Sequence, residues 1–241
     1  MKLSLEQIER LYQFTRQHYV EWYDLQTELV DHLANAIEQQ WQEKPKISFE
    51  DALQIEFKKF GIFGFMSVVE ERQIALGKKY NKLVWQHFKS FFTIPKIIGT
   101  ATVFAILVQL MLEVEHAYLI VSTLFVLSTF FFWIGIVKMS RKNKKEAKLS
   151  GKKWLYKDII FGLGSFTGFI PLPLQFGLRI EDTAQFGVIS ATIISATVVC
   201  FFLLGYIILK IIPSKAEDYL KETYPEYALE NANKTKSLLI K

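Results

Sequence analysis

Residues 117–137 read AYLIVSTLFVLSTFFFWIGIV, 21 consecutive positions without a charged side chain. A helix rises about 1.5 Å per residue, so a run of this length crosses a hydrocarbon core of about 30 Å. Soluble domains seldom carry so long an uncharged stretch, and the run predicts an integral membrane protein. The apolar residues, 51% of the chain, are unevenly spread: residues 1–92 are polar and charged, while uncharged runs fill much of 97–209. Four spans are expected, at about 94–113, 117–138, 157–178 and 184–210. The expected architecture is all-α. A cytoplasmic helical module over 1–65 leads through a basic juxtamembrane helix over 66–93 to a four-helix membrane region over 94–212, and a tail covers 213–241.

Charge sets the expected threading. Residues 1–57 hold 5 Lys/Arg against 11 Asp/Glu, residues 58–92 hold 7 against 2, and residues 138–158 hold 9 against 2. The connections EVEHA and LRIEDTA carry a single Arg between them. Lys and Arg concentrate in short cytoplasmic loops, so both termini and the basic loop 139–156 are expected on the cytoplasmic side of a bacterial inner membrane. Topology accounts for the basic loop without direct nucleic-acid binding, and it makes anionic lipid headgroups natural neighbours. Trp154 and Tyr156 read as interfacial anchors. The first 90 residues are helical and charged, unlike a cleavable signal peptide. Cys200 is the single cysteine and lies in an apolar run, where it reads as a packed side chain.

The third expected span contains FGLGSFTGFIPLPLQFG, in which Pro171 and Pro173 should kink or stop the helix. Broken helices form binding sites in transporters, which makes a small permease or an accessory transporter subunit the alternative function. Packing is the favoured reading. Gly164 and Gly168 form a small-residue ridge, Gly187, Ala191 and Ser195 form another at the same spacing, and two such ridges can meet closely. Among the uncharged runs no ionisable group marks a transport path. Homo-oligomerisation is left open.

In the head, SLEQIERLYQ opens with a capping-box pattern, Ser4 with Gln7, and places Leu5, Ile8, Leu11, Tyr12 and Thr15 on one face. A second helix is expected from about Val20 to Glu43 with Leu25, Leu29, Leu33 and Ile37 inward, ending before Pro45. Ser48 and Asp51 open a third, with Phe49, Ala52, Leu53, Phe57 and Phe60 inward and Gly61 as its stop. A long amphipathic helix over 66–92 is expected to run straight into the first span. The tail shows a second capping-box pattern, Ser214 with Glu217.

With that register, Asp24, Glu28, Asp31, His32 and Asn35 fall on the outward arc of the second helix. Glu28 and His32 lie one turn apart, but a metal site needs three or four ligands, and HExxH, CxxC, P-loop and GxSxG patterns are absent from the sequence. No catalytic residue, metal or cofactor is expected, and the arc is either a solvated face or a surface for a partner protein.

The same residues carry a resemblance. Glu28, Leu29, Asp31, His32, Leu33, Ile37, Glu38, Ser48, Glu50, Ala52, Leu53, Phe60 and Gly61, within residues 4–65, are similar to the small helical module at the N-terminus of many bacterial membrane proteins. That module is called a permease-prefix or HTH-associated alpha-helical signalling domain. Here the break QEKPKISFEDA is longer than the family's short Gly-containing turn and carries Pro45. The resemblance implies a three-helix cytoplasmic module, without enzymatic activity, that couples a membrane part to a soluble partner, often a PadR-type transcriptional regulator. The expected function is therefore that of an inner-membrane signalling or regulatory protein.

Overall fold

The structure, a computed structural model, describes residues 2–162, 187–225 and 227. Among the described residues all regular structure is helical: α1 Leu5–Gln17, α2 Tyr23–Glu43, α3 Phe49–Lys58, α4 Met66–Ser90, α5 Lys96–Glu113, α6 Ala117–Ser150, α7 Leu155–Phe161, α8 Val188–Tyr206 and α9 Ala216–Thr223. They divide between two compact units. One comprises residues 1–77 and 144–158, the other 78–143 and 159–241.

The first unit is built from the apolar stripes of α1–α3 and the start of α4. Ser4 caps α1 as a complete capping box, its hydroxyl accepting from the Gln7 amide while the Gln7 side chain accepts from the Ser4 amide. Leu11, Phe14 and Thr15 are the inward residues of α1, whereas Leu5 is 89% exposed and does not join the core as the periodicity suggests. In α2 the inward residues are Leu25, Leu29, Val30, Leu33, Ile37 and Trp41. Leu33 and Ile37 are fully buried, in the register expected of them. Ser48 caps α3 by accepting from the Asp51 amide at 3.1 Å. Gly61 follows α3 with φ +77°, a left-handed conformation that glycine adopts without steric cost. Ala52 and Leu53 are fully buried, while Phe57 and Phe60 are half-buried in a ring cluster, with Phe57 and Phe60 each 4.9 Å from Phe65.

The α4 helix does not continue into α5. Its last turn closes at Ser90, and α5 starts at Lys96 behind Pro95. Proline has no amide to donate and disfavours the helical conformation in the residue before it, which separates the two helices where one was expected.

Among the described residues, three helices are long and apolar enough to cross a membrane: α5, most of α6, and α8 with its extension to Ser214. They match three of the four expected spans. From residue 163 onward, the expected third span lies outside the described residues, and with it Gly164, Gly168, Pro171 and Pro173. The basic segment after the second span is not a loop throughout, because α6 stays helical to Ser150 and Gly151 then takes φ +69°. Residues Ile207–Ile211 form a π-turn in which the Ile212 amide donates to the Ile207 carbonyl. Pro213 offers no amide to the Leu209 carbonyl, and the ladder widens just ahead of it. The expected Ser214 capping box is not formed: the Ser214 hydroxyl donates back to the Ile211 carbonyl, and Lys215 precedes α9.

The second unit's core is Met111, Val121, Phe125, Phe132, Ile136, Ala191, Val198, Phe201 and Ile208. Two glycines make room for large side chains of the neighbouring segment. A Cβ on Gly205 would stand 2.6 Å from the Phe132 ring, and one on Gly135 would stand 3.2 Å from Leu209. Here α6 and α8 meet side chain against bare backbone, the arrangement that suits apolar surroundings, where packing replaces water exclusion as the driving force.

Two outcomes follow for the purified chain in detergent micelles, unfolded by heat or urea and followed by circular dichroism. Leu33→Ala removes a fully buried side chain and should cost about 2–5 kcal/mol in the first unit. Gly205→Ala should cost about 1–3 kcal/mol by overpacking against Phe132, whereas Gly99→Ala, which meets open space in a helix, should stabilise by about 0.5–1 kcal/mol.

Candidate functional site

The candidate site lies in the first unit, where residues 144–158 fold against α2. Trp22 precedes α2 with extended backbone and no capping side chain, so the first helical amides need partners from elsewhere. Residues 152–155 supply one. The Tyr23 amide donates to the Lys153 carbonyl at 2.7 Å. In return the Asp24 carboxylate accepts from the Leu155 amide at 3.1 Å, which opens α7. Each helix start thus satisfies an amide of the other, and Asp24 places negative charge where the α7 dipole favours it. A carboxylate so buried needs such donors, because desolvation disfavours the charged form.

Around this exchange the indole Nε1 of Trp22 donates to Asp158 Oδ2 at 3.0 Å. Lys153 Nζ lies 2.7 Å from Glu21 Oε2 and 3.1 Å from Asp158 Oδ2, and 4.8 Å from the centre of the Trp22 ring. Burial alone would lower the Lys153 pKa, but the hydrogen bond to Glu21 and the charge of Asp158 outweigh it and hold the ammonium above its ordinary value. A raised lysine pKa stabilises the contact at every pH below the ordinary lysine range and loses that contribution only as pH rises through the raised value. Lys152 Nζ sits 3.9 Å from the centre of the Tyr23 ring, and the Trp154 ring meets Tyr23 edge-on at 5.4 Å. Trp154 and Tyr156 are buried, 6% and 0% exposed, so neither is the interfacial anchor that its place in a basic loop suggests.

The expected outward arc is therefore divided. Glu28, Asp31, His32 and Asn35 are exposed along α2. Asp24 is 9% exposed and faces 144–158, which corrects its placement on that arc. Glu28 pairs with Arg72 at 3.6 Å, a surface contact worth about 0–1 kcal/mol. The His32 ring meets Phe60 edge-on at 5.9 Å. Among the described residues, no group of three or more His, Cys, Asp or Glu side chains is placed to hold a metal ion.

Of the expected membrane ridge, Ala191 and Ser195 are buried in α8, and Gly187 is exposed as its N-cap. Gly135 and Gly205, which make the close helix contact, lie within apolar runs where neither stood out. Their signal is the pairing of each with a large side chain on the other helix, and linear spacing does not display it. Trp22, Glu21, Lys153 and Asp158 are likewise scattered in sequence, separated by more than 130 positions in each pair across the contact.

No family model matches the chain, and no curated protein or solved structure matches it.

Asp24→Ala removes the acceptor for the buried Leu155 amide. It should release residues 152–155 from α2 and raise the rate of tryptic cleavage at Lys152 and Lys153 about tenfold or more, the equivalent of losing one charge-assisted hydrogen bond. His32→Ala should leave that rate unchanged. Timed proteolysis of the full chain, read by mass spectrometry, distinguishes the two.

Proposed function

We propose that this chain is a bacterial inner-membrane signalling or regulatory protein whose helical head docks a soluble cytoplasmic partner through the exposed face of α2. The single observation that carries this reading is the division of that helix. One edge is engaged by residues 144–158, which connect two of the apolar stretches, while Glu28, Asp31, His32 and Asn35 stay open to solvent. A change in the segment 144–158 reaches the start of α2 through the Tyr23 and Asp24 contacts, and the open face belongs to the same rigid helix. The similarity of residues 4–65 to permease-prefix modules supports the same role, with a PadR-type regulator as the partner. The acidic side chains of Glu28 and Asp31 on the open face are complementary to a basic DNA-binding protein. The permease alternative rests on Pro171 and Pro173, outside the described residues.

The experiment captures partners with the full-length protein in nanodiscs, because the folded head includes 144–158 and a fragment ending near residue 92 lacks part of its core. Wild type should retain a basic regulator from cytoplasmic extract, and the pair Asp31→Ala/His32→Ala should lose it while keeping its helical circular dichroism. Capture that persists in the pair, or no capture by wild type, overturns the reading.

A further inference from the structure

A large apolar cleft lies in the second unit between α5, α6 and α8, with a volume of about 1150 Å³. That exceeds the range of about 300–1,000 Å³ common for drug-sized ligands and suits a long chain. Phe125 and Phe202 line its length, and Gly99 leaves one wall low, since a Cβ there would meet nothing within 4 Å.

One end of the cleft differs from the rest. Phe91, Lys96 and Tyr206 close it, with the Phe91 and Tyr206 rings 6.3 Å apart and Lys96 Nζ 5.1 Å from the Phe91 ring centre. Lys96 Nζ is 3.5 Å from the Ser90 hydroxyl. His87 Nε2 lies 2.9 Å from the Tyr219 hydroxyl. Burial first, then the charges of Lys215 and Lys96, hold the His87 pKa below its ordinary value. Among the described residues no carboxylate lies within ion-pair distance of Lys96 or Lys215.

An apolar trough ending in the Lys96 ammonium matches an amphiphile with an anionic head. A second copy of the chain, inserting an apolar helix, would fill the trough and leave Lys96 without a counterion. We propose that the cleft binds one anionic glycerophospholipid, an acyl chain lying along α5, α6 and α8 and its phosphate held by Lys96. The proposal rests on α5, α6 and α8 being membrane spans and is independent of any partner of the head. Phe91 and Tyr206 stand where the glycerol region would sit, the position that aromatic side chains favour at a membrane interface. The neighbouring negative charge would ease protonation of His87.

Delipidated full-length protein, titrated with phosphatidylglycerol or phosphatidylcholine in detergent and read by native mass spectrometry, tests this. Wild type should hold one phosphatidylglycerol per chain and discriminate against phosphatidylcholine. Lys96→Gln should weaken phosphatidylglycerol binding about fivefold. Gly99→Phe, which places a ring in the trough, should abolish it with the helical circular dichroism unchanged. Equal binding of the two lipids, undiminished binding by either variant, or a lipid-free dimer from wild type overturns the proposal.

Discussion

The exchange of amide partners between the starts of α2 and α7 is the interaction on which the first unit depends. A helix start exposes amides that nothing within the helix can satisfy, and burying them unpaired costs about 1–3 kcal/mol each. Neither Trp22 nor Trp154, the residue before each helix, has a side-chain oxygen with which to cap it. Asp24 and the Lys153 carbonyl perform that role across the contact. Once they do, the Trp154 indole is buried beside Tyr23, and Lys153 is fixed between two carboxylates. A segment that composition marks as a topological signal thereby becomes part of a folded core.

The second unit solves a different problem. Its helices present apolar surface outward, with Ile98, Val103, Leu124 and Ile193 exposed, so apolar content cannot decide which face turns in. Shape decides instead. Gly205 receives the Phe132 ring and Gly135 receives Leu209. The same economy of side chain at Gly99 leaves the trough beside α5 open. One residue type thus produces a tight seam between α6 and α8 and a groove a few ångströms away, the difference being whether a large neighbour fills the vacancy.

The helical class, the three apolar helices and the register of α2 were legible in the sequence because each is a local periodicity. Leu25, Leu29, Leu33 and Ile37 recur at helical spacing, and the burial follows. Ser4, Ser48 and Gly61 were legible for the same reason, since caps act over three or four residues. Asp24 was misplaced because periodicity reports a face and is silent about what a segment 131 residues away lays over it. Leu5 failed in the opposite direction: it has the right spacing, but it sits in the first turn, beyond the reach of the elements that bury Leu11. The break between α4 and α5 was available in Pro95, whose effect on the preceding residue outweighs the amphipathic pattern running through it.

The order in which the chain is made bears on the first unit. Residues 1–77 leave the ribosome long before residues 144–158, and two long apolar helices are synthesised in between. At about 5–20 residues per second the interval is about 4–16 s. During that time Asp24 has no amide to accept from, the Tyr23 amide has no carbonyl, and the apolar surface that Trp154, Leu155 and Tyr156 will cover stays wet. The head can therefore complete its core only after the second apolar helix has been delivered, so maturation of the N-terminal unit is timed by membrane insertion of residues that follow it.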